Sequence, residues 1–303
     1  MCDLTNPIFQ DADIAREHLE KVRWPDGAVC VHCGGSDRIM KLKGKSTRKG
    51  VYKCGDCRKQ FTVTVGTVFE RSHIPLNKWL LATHLMCSSK KGISAHQLHR
   101  MLGITYKSAW FMAHRIREAM KPNETGKLGG EGGYVEMDET YITNKTQRKT
   151  KKTGTFKHTK VITLVERNGF ARSYHVNKVN SDTVKGILDK EVFKDSAIIT
   201  DSAPFYPSAT KEFAGHETVN HSIQEYVRGS IHTNTIEGFF SILKRGLNGV
   251  YQHCSKHHLK RYLAEYDFRY SYRNKMGYSD SERAVKALQG IEGKRLMYGT
   301  VSA

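Results

Sequence analysis

The chain has 303 residues and carries 49 Lys and Arg against 30 Asp and Glu, a formal charge of +19. A hydrophobic fraction of 38% with 10% aromatics excludes a chain too polar to form a core. The longest apolar runs, such as the stretch 62–69, fall far short of a membrane span, and so strong a basic excess points to a polyanionic partner, most commonly nucleic acid.

The first 25 residues carry acids and no apolar signal core, so a cytoplasmic protein with reduced thiols is expected. Ala12, Ala15, Leu19 and Val22 recur at helical spacing and predict a helix before Pro25, within a first segment 1–24. Residues 25–68 read as a ribbon of short antiparallel strands. It holds Cys30 and Cys33, then Cys54 and Cys57 after 20 intervening residues. In a reducing compartment, paired C-x-x-C elements at this spacing are metal ligands far more often than disulfides. Two facing turns of this kind supply four thiolates to a tetrahedral Zn²⁺, leaving no open position, so the ion is structural. His32 reads as a turn residue rather than a fifth ligand.

Residues 69–122 turn helical. Two short helices, 94–102 and 106–120, are separated by Gly103, with Ser94 and Thr105 as predicted N-caps, and together they form a helix-turn-helix pattern. In that pattern Tyr106, Lys107 and Ser108 would enter a major groove and Arg115 and Arg117 would meet phosphates. Residues 123–133 are polar and Gly-rich and predict a linker.

From 134 to 275 three strands, a helix and a strand ending in Asp201 predict an α/β domain with a mixed sheet. The loop 144–160 has seven Lys or Arg and no acid, and Lys149, Lys151 and Lys152 at its centre suit a phosphate backbone. The stretch HTNTIEGFFSILKRG, residues 232–246, predicts an amphipathic helix. Ile236, Phe239, Phe240 and Leu243 lie on its apolar face, beside a polar stripe of Asn234, Glu237, Ser241 and Lys244. Leu259, Tyr262, Leu263, Tyr266 and Tyr270 predict a further core helix, and residues 276–303 read as a tail.

Asp138 sits inside an apolar strand, where a charge is costly unless paired or bound to a metal. Asp201 closes another strand, and Glu237 lies on the helix. Enzymes that cut or join phosphodiesters hold two divalent ions with carboxylates distant in sequence and convergent in space. This trio fits that pattern. Glu136 and Glu139 are expected to point away from Asp138 and not to share its metal.

The spacing of Asp138, Asp201 and Glu237, with 62 and then 35 intervening residues and Lys244 seven residues further, resembles the DDE signature of transposases and integrases. With the cysteine ribbon, MDETYI, TDSAPFY and HTNTIEGFFSILKRG in this order, the chain is similar to bacterial insertion-sequence transposases of the zinc-ribbon-containing ISXO-like group. The resemblance implies a multidomain α+β protein whose catalytic domain is ribonuclease-H-like. It implies structural Zn²⁺ and two catalytic Mg²⁺ or Mn²⁺ ions on Asp138, Asp201 and Glu237. In this group the third catalytic position is Glu in some members and Asn in others, so Asn234 stays open beside Glu237, while Lys244 and Arg245 would face DNA. The implied partners are double-stranded DNA, at element ends and target, and a second copy in a homodimer or larger synaptic complex at the nucleoid. A zinc-ribbon and helix-turn-helix regulator, or a ribonuclease-H-like nuclease that cuts without joining, remain the rival readings.

Overall fold

The computed structural model describes residues 4–122, 126–142, 158–220 and 227–297, which fold into two units. One is built from residues 1–89, 93–121 and 279–303, the other from 90–92 and 122–278.

In the first unit Asp11 starts helix α1 (Ala12–Arg23) by accepting the backbone N–H groups of Asp13 and Ile14 at 2.7 and 2.9 Å. Ala15 and Leu19 are its buried stripe. The predicted ribbon is three short antiparallel strands in order β1 (Ile39–Lys41), β2 (Tyr52–Cys54) and β3 (Gln60–Phe61). Strands this short need a packed face, and Tyr52 stacks on Phe61 with the Trp24 ring edge-on to both. Helices α2 (Leu76–Ser88), α3 (Ala95–Leu102) and α4 (Tyr106–Met120) follow. Ser94 and Thr105 cap α3 and α4, each accepting a backbone N–H three residues on. Gly103, with φ 58°, takes the left-handed turn between them that a β-carbon would strain.

Only the first turn of α4 is open to solvent. Arg115 and Arg117, expected at phosphates, are interior instead, at 5% and 2% exposure. The Arg115 guanidinium donates to the Glu70 carbonyl and lies over the Trp79 ring, so its charge is spent inside the unit.

In the second unit a five-stranded sheet has the order β6-β5-β4-β7-β8. Strands β4 (Tyr134–Ile142), β5 (Thr159–Glu166) and β6 (Ala171–Val176) form an antiparallel meander; after helix α5 (Ser181–Glu191), β7 (Ala197–Asp201) joins β4 in parallel. The short helix α6 (Tyr206–Ala209) leads to β8 (Gly215–Val219), parallel to β7. A two-stranded ribbon, β9 (Val227–Arg228) and β10 (Ile231–His232), precedes helices α7 (Asn234–Gly249) and α8 (Leu259–Ser271). The sheet is mixed, as expected.

Both faces of the sheet are covered, which is why Val161 to Val165 of β5 and Ala197 to Ile199 of β7 read as mostly apolar runs. Val161, Val165 and Ala171 pack on Ile236, Phe239, Phe240 and Leu243 of α7 and on Leu259 and Leu263 of α8. Val135, Met137, Ile162, Leu164 and Ile198 pack on Val184 and Leu188 of α5 and Tyr206 of α6. The alternation along each strand thus assigns every residue to the α7/α8 face or the α5/α6 face.

Two expected connections are structured. Leu128, placed in the linker, is 1% exposed in the core beside α5, and its backbone pairs with Glu191 and Phe193. The segment read as a tail holds α9 (Asp280–Gln289), started by a Ser279–Glu282 capping box and packed in the first unit, where Arg283 donates to the Cys87 carbonyl at 2.8 Å. Among the described residues no helix is long and apolar enough to cross a membrane.

Candidate functional site

In the ribbon, the sulfur atoms of Cys30, Cys33, Cys54 and Cys57 all lie within 4.8 Å of one another. Cys30 and Cys57 are 3.6 Å apart, and Cys33 and Cys54 are 3.7 Å apart. The edge of a tetrahedron with metal–sulfur bonds of 2.3 Å is about 3.8 Å, so the spacing of the four sulfurs is consistent with a structural Zn²⁺. Burial pushes the Cys30 thiol up, but N–H donors from His32 and Cys33 outweigh it and bring it down to about 6. For Cys33 the Gly35 donor is overcome by neighbouring sulfurs and burial, which push it up to about 12. Four thiols this close resist ionising together, and a divalent cation removes that resistance.

The carboxylates gather at the sheet of the second unit. Asp138, on β4, is half-buried and accepts the adjacent Glu139 N–H at 2.7 Å. Burial raises its carboxyl to about 7, helped by the negative charges of Asp201, Glu139 and Glu237. Asp201 ends β7, the parallel neighbour of β4, and accepts the Ala203 N–H at 3.1 Å. Glu237 is in the first turn of α7, exposed, with Thr233 donating its hydroxyl to Oε1 at 3.0 Å. One central strand, its neighbour and a helix therefore bring Asp201 and Glu237, distant in sequence, within electrostatic reach of Asp138. They are set more widely than the cysteines, which are the one group of potential ligands within 4.8 Å among the described residues.

The flanking glutamates differ from expectation in one respect. Glu139, one residue after Asp138, points to the α5/α6 face, where the Tyr206 hydroxyl donates to its Oε2 at 2.6 Å. Glu136, two residues before Asp138, shares its face, because strand side chains alternate with period two. It is nonetheless engaged elsewhere: Glu136 is fully buried, Oε1 takes the Nε–H of Arg167 at 2.8 Å, and Oε2 accepts the Ile236 N–H of α7 at 3.0 Å. Arg167 also donates to the carbonyls of Ser230 and His232, the latter at 2.9 Å. Sequence reasoning missed Arg167 altogether; the signal for Glu136 was its two-residue offset.

A polar row crosses the sheet from Asp138. Thr163 lies opposite Asp138, and Ser173 opposite Thr163, with their hydroxyls sharing a hydrogen bond at 2.9 Å. Ser173 donates its N–H and hydroxyl to the carboxylate of Asp267 on α8 at 2.8 and 2.6 Å. Burial drives Asp267 up to about 7 against those donors.

The remaining candidates divide. Asn234, the first residue of α7, is exposed one helical turn before Glu237; Lys244 and Arg245 are exposed further along the helix. Tyr106 and Lys107 are exposed at the start of α4, and Tyr106 stacks on His96 with ring centroids 4.2 Å apart. Ser108 takes part in the Thr105 cap through both N–H and hydroxyl. Lys149, Lys151 and Lys152 lie outside the described residues.

Two family models match the chain: an ISXO2-like transposase domain over residues 128–271 and a transposase zinc-ribbon domain over residues 11–60. The chain is also similar to a Halobacterium salinarum protein described as an uncharacterized protein in transposable element ISH50. The two are 26% identical over 270 residues, covering 83% of this chain and 88% of the relative.

Proposed function

The chain belongs to the ISXO2-like (IS1595) family of insertion-sequence transposases, and from that premise we propose that it binds the terminal inverted repeats of its element and cleaves and joins DNA through Asp138, Asp201 and Glu237. The observation that carries this reading is the placement of Asp138 on β4, Asp201 at the end of the adjacent parallel strand β7 and Glu237 in the first turn of α7, with the negative charges of the latter two acting on a half-buried Asp138. Such repulsion is costly in an empty site and is relieved by a hard divalent cation, for which carboxylate oxygens are the preferred ligands. The residues present therefore fit Mg²⁺ or Mn²⁺. When bound, a pair of such ions stabilises charge on the attacking and leaving oxygens of an in-line displacement.

The chain's own residues supply the rest. Asp138 and Asp201, on adjacent parallel strands, give a rigid pair of ligands, and Glu237 adds a third from the first turn of α7. Asn234 stands on the same helix as a neighbour of Glu237 rather than its substitute, because an amide does not neutralise a cation. Lys244 and Arg245, exposed on α7, meet the DNA backbone beside the cleaved phosphate. The order β6-β5-β4-β7-β8, with three antiparallel strands followed by two parallel to the centre, supports a ribonuclease-H-like fold. The pair α3–α4 acts as a helix-turn-helix, with Tyr106, Lys107 and Ser108 at the groove; the basic stretch with Lys149, Lys151 and Lys152 adds contacts to the phosphate backbone. The protein works in the cytoplasm, at the nucleoid, as a synaptic homodimer or larger assembly.

The test is cleavage of element-end DNA with and without Mg²⁺ or Mn²⁺. Metal-dependent nicking by the parent, lost in Asp201→Ala while DNA affinity is kept, supports the reading. A parent chain that binds the ends and never cuts them points to the regulator instead, and cutting without transfer of a pre-cut 3′-hydroxyl end points to a nuclease.

A further inference from the structure

Helix α7 begins without a cap of its own. Thr233, its N-cap residue, makes no side-chain bond to the first-turn N–H groups; its hydroxyl is turned to Glu237 instead. The donor of Ile236 is satisfied from another element, by the carboxylate of Glu136 on β4 at 3.0 Å. An anion at a helix N-terminus is favoured by both the unpaired N–H groups and the helix dipole.

That bond also fixes the geometry of the carboxylate site. Ile236 immediately precedes Glu237, and Glu136 stands two strand residues, about 7 Å, from Asp138 on the same face. One hydrogen bond therefore ties the residue beside Glu237 to the strand segment that carries Asp138. Arg167 completes the tie. Its guanidinium, only 16% exposed, gives Nε–H to Glu136 and its two terminal nitrogens to the carbonyls of Ser230 and His232, the segment that enters α7. His232 Nδ1 lies 3.5 Å from the same glutamate oxygen. A lysine has no fork of donors to bridge one carboxylate and two carbonyls at once.

Stability alone does not account for such a pair. A largely buried ion pair is on balance replaceable by apolar side chains of similar volume, because the desolvation cost offsets the attraction. What apolar side chains cannot do is accept the Ile236 N–H and hold the 230–232 carbonyls in register. We propose that Glu136 and Arg167 form a clasp that positions Glu237 against Asp138, making both of them positioning residues for metal binding. This rests on the metal-holding role given above to Asp138 and Glu237.

The full chain carrying Glu136→Gln or Arg167→Lys tests it. Glutamine keeps the size and an oxygen for Ile236 but loses the charge; lysine keeps the charge but loses the fork. Three measurements are compared with the parent: hydrogen exchange of the peptide spanning residues 232–240, Mn²⁺ binding by electron paramagnetic resonance, and the Mn²⁺ concentration giving half-maximal cleavage of element-end DNA. Residues that orient metal ligands are worth 10–100-fold in metal affinity, so both variants should need at least about tenfold more Mn²⁺ in binding and in cleavage. Exchange should rise in the 232–240 peptide and stay at the parent level in β4, β5 and the ribbon. DNA affinity measured in EDTA should stay within about twofold, since neither side chain faces solvent enough to meet a phosphate. Parent-like exchange and parent-like Mn²⁺ dependence in both variants overturn the clasp. So does a loss of protection spread evenly over the chain in both, which marks a purely structural pair. A parent that binds no Mn²⁺ and cuts no DNA overturns the proposed function instead, a result distinct from variants that merely match an active parent.

Discussion

The Tyr206 hydroxyl donates to Oε2 of Glu139 across 2.6 Å, so α6 secures the carboxylate that β4 directs away from Asp138. Tyr206 is fully buried, and burial raises the Glu139 carboxyl while the phenol donor lowers it. Tyr206→Phe removes that donor without emptying the core. The unfolding free energy should fall by about 1–3 kcal/mol, read from urea denaturation; a midpoint equal to the parent's would show that the bond contributes nothing.

Gly246 gives the second expectation. Alanine at a helix-interior glycine ordinarily stabilises by about 1 kcal/mol. Here a β-carbon would collide with the Tyr266 hydroxyl and lie 2.6 Å from the Lys91 carbonyl oxygen, two groups already bonded to each other at 2.7 Å. Overpacking of this kind costs about 1–3 kcal/mol. Gly246→Ala should therefore lower the thermal midpoint despite the gain in helix propensity; a higher midpoint would mean that Tyr266 moves aside freely.

Asp267 predicts a pH dependence. Its carboxyl is raised from 3.8 to about 7 in the folded chain, mainly by burial. Between those values the unfolded chain has lost the proton and the folded chain retains it, so the stability this residue provides at low pH declines as pH rises through about 7. Asp267→Asn, which can still bond Ser173, removes that dependence. Relative to the parent, the variant should gain roughly 3 kcal/mol between pH 5 and pH 8. Parallel stability curves for the two proteins would refute the raised carboxyl.

For the ribbon, elemental analysis of the purified chain should find one zinc per molecule. Cys54→Ser leaves three thiolates and should release the metal to a chelator far more readily, with loss of protection in 30–61 and little change in the five-stranded sheet. Protein that is folded and protected there without any metal would contradict the site.

Much of this architecture was legible because it is written in local patterns. The α7 face, the caps Ser94 and Thr105, the cysteine pairs and the succession of three strands, a helix and a strand ending in Asp201 all follow from spacing rules that operate within a few residues. The resemblance to insertion-sequence transposases added what spacing alone leaves open, the expectation that Asp138, Asp201 and Glu237 act together.

Other features depend on partners far away in sequence. Arg115 and Arg117 read as exposed cations by composition, yet their helix is buried along most of its length, and Arg115 ends on the Glu70 carbonyl 45 residues earlier. Residues 280–289 showed no chemistry and read as a tail, while Arg283 reaches Cys87 across 196 residues. The sequence by itself determined most of the elements and the pairing of Cys30 and Cys33 with Cys54 and Cys57, since side-chain period and turn spacing are local. Only the tertiary structure decided how α7 is held at β4, because the Glu136–Ile236 bond joins groups 100 residues apart and exists only once the sheet and helix have packed.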